Sequence, residues 1–197
     1  MPRLFIAVVV PPLAPLCEVL GQLAKLRPMV KPVDADQLHL TLRFLGEVPI
    51  ECVNTIAIAM EHAAKTVGAI PFDLRFVKLG RFPSNEDLLP RVIFAEPTDA
   101  APLQQLADAL DEVITKELPL LSKRDHPFHA HLTLARVKSK RPSAKDVRQT
   151  LNDLLCDTRK ADLGTTRIKS LYLIESRLTS SGSIYALRHT HLFTARG

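Results

Sequence analysis

The order of apolar and polar positions predicts that strands and helices alternate along the chain. Residues 3–10 form a nearly continuous apolar run rich in β-branched side chains, which is typical of a buried strand, and Pro11-Pro12 end it. Leucines at positions 13, 16, 20 and 26 then follow the approximate spacing of one helix face up to about Arg27. The chain is therefore expected to begin with a strand and a helix.

The same reasoning extends over the remaining sequence. It predicts helices that begin at Pro49, at a cap formed by Thr98 or Asp99, and at a Ser143 cap. The second half repeats the sense of the first, and no linker is long enough to separate independent domains. We therefore expect an α+β or α/β chain of two similar halves that form one domain over residues 1–197. The further strands are predicted at residues 37–45, 72–79, 91–96, 130–137, 167–175 and 184–193.

A repeated tetrapeptide is the most informative feature of the sequence. His39-Leu-Thr-Leu recurs as His131-Leu-Thr-Leu 92 residues later, and each copy lies in a predicted strand. Side chains alternate between the faces of a strand, so in each copy the histidine and the threonine (Thr41, Thr133) face one way while the leucines face the core. The repeat predicts that each half contributes one imidazole and one hydroxyl to a common site.

The arginines that follow the two copies are predicted to lie on different faces of their strands. Arg43 has the same parity as His39 and Thr41, so it is expected to add a cation beside them. Arg136 has the opposite parity to His131, so it can reach the same site only if the strand bends or carries a bulge.

Two imidazoles from two halves suit an in-line displacement at phosphorus, which needs a base on one side and an acid on the other. Histidine titrates near pH ~6.5, so one neutral and one protonated copy can coexist. The threonine hydroxyls could bind the non-bridging phosphate oxygens. These arguments do not assign the acid and the base, and duplicated structural residues are the alternative.

Composition narrows the class of protein. The chain has 197 residues, of which 46% are hydrophobic and 24% charged, which is ordinary for a soluble globular protein. No apolar run approaches the ~20 residues of a membrane span, and the first run lacks the cleavage site of a signal peptide. Three cysteines, odd in number and far apart, do not suggest a disulfide framework. We expect a cytoplasmic protein.

The positive charge is concentrated in one stretch. The chain carries a net charge of +5, and residues 123–148 contain eight basic and two acidic side chains. Such a stretch can attract a polyanion, although a solvated surface is the alternative. The basic residues are Lys123, Arg124, Arg136, Lys138, Lys140, Arg141, Lys145 and Arg148.

Together these motifs resemble the two-histidine phosphoesterase superfamily. The surrounding segments at residues 3–8, 42–48, 128–136, 171–176 and 182–185 are similar to its RNA 2′,3′-cyclic phosphodiesterase branch, also called 2′-5′ RNA ligases. The resemblance runs nearly end to end. It implies a bilobal α+β fold in which antiparallel sheets face a cleft, with helices packed outside and one motif from each lobe.

The resemblance also implies roles for individual residues. His39 corresponds to the proton donor and His131 to the proton acceptor. The expected substrate is an RNA or nucleotide that ends in a 2′,3′-cyclic phosphate, and the product is a 2′-phosphomonoester. Ligation that forms a 2′-5′ linkage would be the reverse type of reaction. The residues expected to bind the substrate are Thr41, Thr133, Arg43, Arg136, Phe5 and Tyr185, of which the two aromatic residues could instead pack in the core.

The sequence is also compatible with other functions. A phosphoesterase of the same fold could act on 2′-5′ oligoadenylate or on ADP-ribose cyclic phosphate, and an RNA-binding module would show no turnover. His129 and His131 share a parity that could suit zinc, but no acidic or cysteine partner has a convincing spacing. We therefore expect no metal, no cofactor and no membrane partner, and a monomer. His189 and His191 are interpreted as structural, and His62, on a predicted helix, carries no functional signal.

Overall fold

The computed structural model describes residues 1–121, 123–138, 144–157, 162–179 and 183–194. These residues contain four α-helices and nine β-strands. The helices are α1 (Ala14–Ala24), α2 (Val53–Thr66), α3 (Ala101–Glu117) and α4 (Ala144–Asp157). The strands are β1 (Arg3–Val9), β2 (Val30–Pro32), β3 (His39–Glu47), β4 (Phe72–Phe82), β5 (Val92–Pro97), β6 (Leu132–Val137), β7 (Gly164–Ile168), β8 (Ser170–Leu178) and β9 (Ser183–Leu192).

The strands form two antiparallel sheets. The first sheet has the strand order β3-β1-β8-β9, and the second has the order β2-β6-β5-β4-β7. Helices α2 and α3 pack together and contact β9 and β3 of the first sheet, whereas α1 and α4 contact strands of the second. The predicted α+β class is confirmed. Because β3 and β6 belong to different sheets, the two copies of the tetrapeptide approach each other from opposite lobes.

Several predicted boundaries differ from the structure. The strand predicted at 167–175 is two strands, because the chain passes from the second sheet to the first at Lys169. The short strand β2 was not predicted. Helix α2 begins at Val53, after a 3-10 turn, rather than at Pro49.

The expected caps of the third helix are also wrong. Ala100 occupies the N-cap of α3, and no side chain caps it. Asp99 lies in the left-handed region with φ 50°, and the Thr98 hydroxyl donates instead to the Arg75 carbonyl. The predicted cap Ser143 lies outside the described residues.

The two faces of the first sheet pack into two separate apolar clusters. Leu4, Ile6 and Val8 of β1 belong to a large apolar cluster that also includes residues of α1, α2, α3 and the second sheet. Phe5 and Ala7, which alternate with them, form a second small cluster with Ile174, Tyr172 and Tyr185 on the other face. This second face borders the cleft between the lobes.

The motif leucines anchor their strands as predicted, because Leu40, Leu42, Leu132 and Leu134 are all buried in the large cluster. Removing side chains of this size from water contributes about 1.5–3 kcal/mol each. The histidines and threonines between them are only half-buried.

Two further predictions from the sequence concern the cysteines and membrane-spanning segments. The three cysteines are free thiols. No helix among the described residues is both long enough and apolar enough to cross a membrane.

Candidate active site

The two motif histidines lie at the starts of two strands that belong to different sheets. His39 is the first residue of β3, and His131 directly precedes β6. They are close enough that a positive charge on His131 lowers the pKa of His39. The structure therefore brings together the two residues that the sequence repeat singles out.

Each imidazole is held by a hydrogen bond to the backbone carbonyl two residues earlier in the chain. Nδ1 of His39 donates to the Gln37 carbonyl at 2.8 Å, and Nδ1 of His131 donates to the His129 carbonyl at 2.7 Å. A carbonyl oxygen can only accept, so Nδ1 carries the hydrogen in each ring. Nε2 is therefore the nitrogen that takes up or releases a proton, and no described residue bonds to it. The two copies match in tautomer as well as in sequence.

The environment favours the neutral form of both rings. Burial is the main cause that lowers the pKa of His39, and it is opposed by the bond to the Gln37 carbonyl. Burial also lowers the pKa of His131. The positive charge of Arg136 adds to the lowering at both sites. A bound phosphate would supply the negative charge that favours protonation of one ring.

Each imidazole packs against two aromatic rings of its own sheet. The centroid of the His39 ring lies 5.0 Å from that of Phe5 and 5.2 Å from that of Tyr185. Phe5 and Tyr185 thus lie beside His39, and their rings also pack with each other at 5.5 Å.

The rings of Phe82 and Phe94 surround His131 in the same way, at 5.3 and 5.5 Å. Sequence reasoning missed both. Phe82 lies beyond the predicted end of its strand, and Phe94 reaches His131 because β5 pairs with β6, with Phe94 opposite Thr133. Pairing between distant strands leaves no local signal in a sequence.

A β-bulge brings Arg136 to the site. Between β5 and β6 the register shifts, because Ile93 pairs with Ala135 but Phe94 pairs with Thr133. The extra residue reverses the alternation, so Leu134 and Ala135 are both buried and Arg136 emerges on the exposed side. The condition stated from the sequence, a bend or bulge, is therefore met.

An equivalent bulge in β3 removes Arg43 from the face of His39. The register shifts between Ile6 and Ala7, so Leu42 and Arg43 are both buried and Phe44 emerges, with 62% of its surface exposed. The expectation that Arg43 shares the face of His39 and Thr41 is therefore wrong. The residue five positions after the motif histidine is therefore the aromatic Phe44 in β3 and the cationic Arg136 in β6.

Arg43 instead connects β3 to the loop before the second motif. Its Nε forms an ion pair with Asp111 of α3 at 3.0 Å, and only 6% of Arg43 is exposed. The Asp111 carboxylate also accepts from the Arg124 backbone N–H at 3.1 Å. Arg124 in turn lies over the Phe128 ring at 5.9 Å. Arg43 thus helps to position the segment that leads to His131.

Two of the described cations of the basic stretch already have partners within the chain. Arg124 pairs with Asp108 and Asp111, and Arg148 donates to the Asp87 carbonyl. Arg136 lies at the histidines. Lys140, Arg141 and the side chain of Lys145 lie outside the described residues.

A cavity lies beside His131 and Thr41, and we call it the first cavity. It has a volume of about 800 Å³ and is lined by residues 41–47 of β3 and by residues 120, 121, 123–129 and 131. Thr41, His131, Phe44 and Phe128 are among its lining residues. A nucleoside is within the size range that such cavities bind.

The histidines show no metal-site arrangement. Among the residues that the structure describes, no group of three or more His, Cys, Asp or Glu side chains could hold a metal ion. The ring of His129 is 6.0 Å from that of His131, and its carbonyl serves as the hydrogen-bond acceptor for the His131 ring. His62 pairs with Glu117, and His191 lies near Glu61, on the helical side of the first sheet.

Gly80 of β4 is required by the packing around His131, which gives a prediction. A Cβ at Gly80 would overlap the ring of Phe94 and lie 2.8 Å from Glu96 Oε1. Gly80→Ala should therefore displace Phe94 from His131, destabilise the fold by about 1–3 kcal/mol and lower turnover. Denaturant unfolding and activity assays would measure the two effects.

Gly21→Ala is the matched control for this substitution. Nothing lies within 4 Å of a Cβ at Gly21, which is inside α1, so this variant should be neutral or more stable by about 0.5–1 kcal/mol. Equal stability and activity in both variants would contradict the account of Gly80.

Comparison with known proteins gives one consistent family. The model of the 2′-5′ RNA ligase superfamily matches residues 12–179. An RNA 2′,3′-cyclic phosphodiesterase of Archaeoglobus fulgidus is 33% identical over 79% of this chain and 80% of its own. One from Thermus thermophilus is 39% identical over 74% and 73%. The crystal structure of the Thermus thermophilus protein TT0787 superposes with a TM-score of 0.73, at 29% identity over 97% of each chain.

Proposed function

The chain belongs to the 2′-5′ RNA ligase superfamily, and on this premise we propose that it is an RNA 2′,3′-cyclic phosphodiesterase. In this proposal it hydrolyses a terminal 2′,3′-cyclic phosphate to a 2′-phosphomonoester, using histidines and no metal. One observation carries the proposal. His39 and His131 come from different sheets, and each is fixed by a carbonyl so that Nε2 is the nitrogen that exchanges protons.

The proposed reaction is an in-line displacement. Neutral His131 accepts a proton at Nε2 from a water molecule whose oxygen attacks phosphorus. The bond from phosphorus to the 3′ oxygen breaks, and protonated His39 donates its Nε2 proton to that oxygen. The product carries a 2′-phosphate and a 3′-hydroxyl. Replacing water by a hydroxyl of a second RNA gives the corresponding 2′-5′ ligation.

The other residues of the cleft act on charge and orientation in this proposal. The hydroxyls of Thr41 and Thr133 donate to the non-bridging oxygens, and the Arg136 guanidinium stabilises the charge that develops there. Phe5 and Tyr185 hold the His39 ring in place and border the substrate.

The origin of the two histidines and the state of the cysteines support proposals about oligomeric state and cellular compartment. Both histidines are supplied by one chain, so we propose that residues 1–197 act as one domain and as a monomer. The free cysteines suit a reducing compartment, and we propose the cytoplasm.

The test is hydrolysis of an oligoribonucleotide that ends in a 2′,3′-cyclic phosphate, assayed in excess EDTA. We expect turnover to persist and the product to be the 2′-phosphomonoester alone, identified by chromatography against 2′- and 3′-phosphate standards. Turnover that stops with EDTA and returns with zinc, or exclusive formation of the 3′-phosphate, would refute the proposal.

A further inference from the structure

A second, smaller cavity shares no lining residue with the first. It has a volume of about 360 Å³ and is lined by Val9, Pro11, Tyr172, Leu192 and the segment 166–170. Val9 is the residue of β1 that pairs directly with His39 across the two strands. Because paired residues lie about 5 Å apart, this second cavity begins next to the proposed site.

The lining of the second cavity suits a nucleotide. Tyr172 and Leu192 offer apolar surface, and Leu192 is 66% exposed. Thr166 and Ser170 place nearly buried residues with hydroxyl groups there, and neither side chain hydrogen-bonds to any residue that the structure describes. Arg167 and Lys169 supply two cations. An aromatic ring beside cations is the combination that binds single-stranded nucleic acid.

Charge distinguishes the two cavities. Lys123 of the first cavity is accompanied by Asp125 and Glu47, and its two arginines face Asp108 and Asp111. In the second cavity no lining residue, all of which are described, carries a carboxylate. Arg167 pairs with Asp73 at 3.1 Å, whereas Lys169 has no ion pair with a described carboxylate. The unbalanced positive charge therefore lies at Lys169.

We infer that the second cavity binds the phosphodiester and the nucleoside immediately 5′ of the terminal nucleoside, so that the enzyme selects RNA ends over mononucleotides. The inference rests on the proposed function for the identity of the terminal group. Lys169 contacts the phosphodiester, and Tyr172 and Leu192 contact the preceding nucleoside. The balanced first cavity is left for an uncharged nucleoside.

Equilibrium binding tests this inference without requiring turnover. The probes are a five-nucleotide RNA that ends in a 2′-phosphate and adenosine 2′-monophosphate, measured with wild type and Lys169→Gln over a range of salt concentrations. We expect wild type to bind the RNA more tightly. Lys169→Gln should raise the Kd for the RNA about fivefold and leave that for the mononucleotide within about twofold. It should also reduce the slope of log Kd against log salt by about 0.7, the value for one phosphate of a single strand.

Lys25→Gln is the matched control. Lys25 is exposed at the C-cap of α1 and does not line the second cavity, so Lys25→Gln should change neither Kd. Equal weakening of both ligands by Lys169→Gln, no weakening of either, or equal wild-type affinities would overturn the inference. Hydrolysis of the terminal 2′,3′-cyclic phosphate is measured in a separate assay. Its absence, with selective RNA binding intact, would refute the proposed function and leave the subsite standing.

Discussion

Replacing either His39 or His131 with alanine is expected to lower kcat by about 10²–10⁴-fold, because each variant loses one of the two proton transfers. The Michaelis constant should change much less, since neither ring supplies the main charge that binds the phosphate. The double variant should lose little more than either single variant, because the two residues act as a unit. Steady-state kinetics on the cyclic phosphate substrate measures all three.

His62→Ala is the control for this series. His62 lies on α2, is exposed and bonds to Glu117 rather than to any residue of the cleft, so its kcat should equal that of wild type. Far-UV circular dichroism and unfolding midpoints would show whether the variants fold alike. Retention of more than about a tenth of kcat by a well-folded His39→Ala or His131→Ala protein would contradict the two-histidine mechanism.

A modified substrate separates the two roles. A cyclic phosphate in which sulfur replaces the 3′ oxygen has a better leaving group, since a thiol ionises far more readily than an alcohol. This substrate should restore much of the turnover of His39→Ala, whose missing group is the acid. It should not restore that of His131→Ala, whose missing group is the base. The opposite result would exchange the two roles.

The parts of the fold that depend on local pattern were accessible from the sequence. The buried strand at Arg3–Val9 and the leucine anchors of both motifs follow from alternation and apolar runs, and the structure confirms them. The duplication itself identified the two histidines, because their strand context is encoded within a few residues of each copy.

The parts that depend on pairing between distant strands were not accessible. Arg43 and Arg136 exchanged their expected places because each motif strand carries a bulge, which is visible only in its register with a neighbour. Phe82 and Phe94 reach His131 from strands 35 or more residues away in the chain. The passage from β7 to β8 at Lys169 is likewise a property of two sheets rather than of one segment.

The bulge at Arg136 leads to a prediction about pH. The positive charge of Arg136 lowers the pKa of both His39 and His131, so replacing it with glutamine should raise both pKa values. The acid limb of the kcat/KM profile reports deprotonation of the base, and the alkaline limb reports deprotonation of the acid. Both limbs should therefore move to higher pH in Arg136→Gln. The wild-type optimum itself should lie on the acidic side of the ordinary histidine pKa of 6.5, because both rings are shifted downward.

The same substitution should lower kcat/KM by about 10²–10³-fold, because it also removes a cation from the phosphate in the transition state. Arg136→Lys separates the two effects. It keeps the charge, so its pH profile should stay near that of wild type, but it loses the planar pair of donors and should recover only part of the rate. Lys138→Gln, which removes an exposed cation two residues further along, is the control for a general change in charge. If Arg136→Gln lowers the rate without moving the profile, Arg136 binds phosphate but does not set the protonation of the histidines.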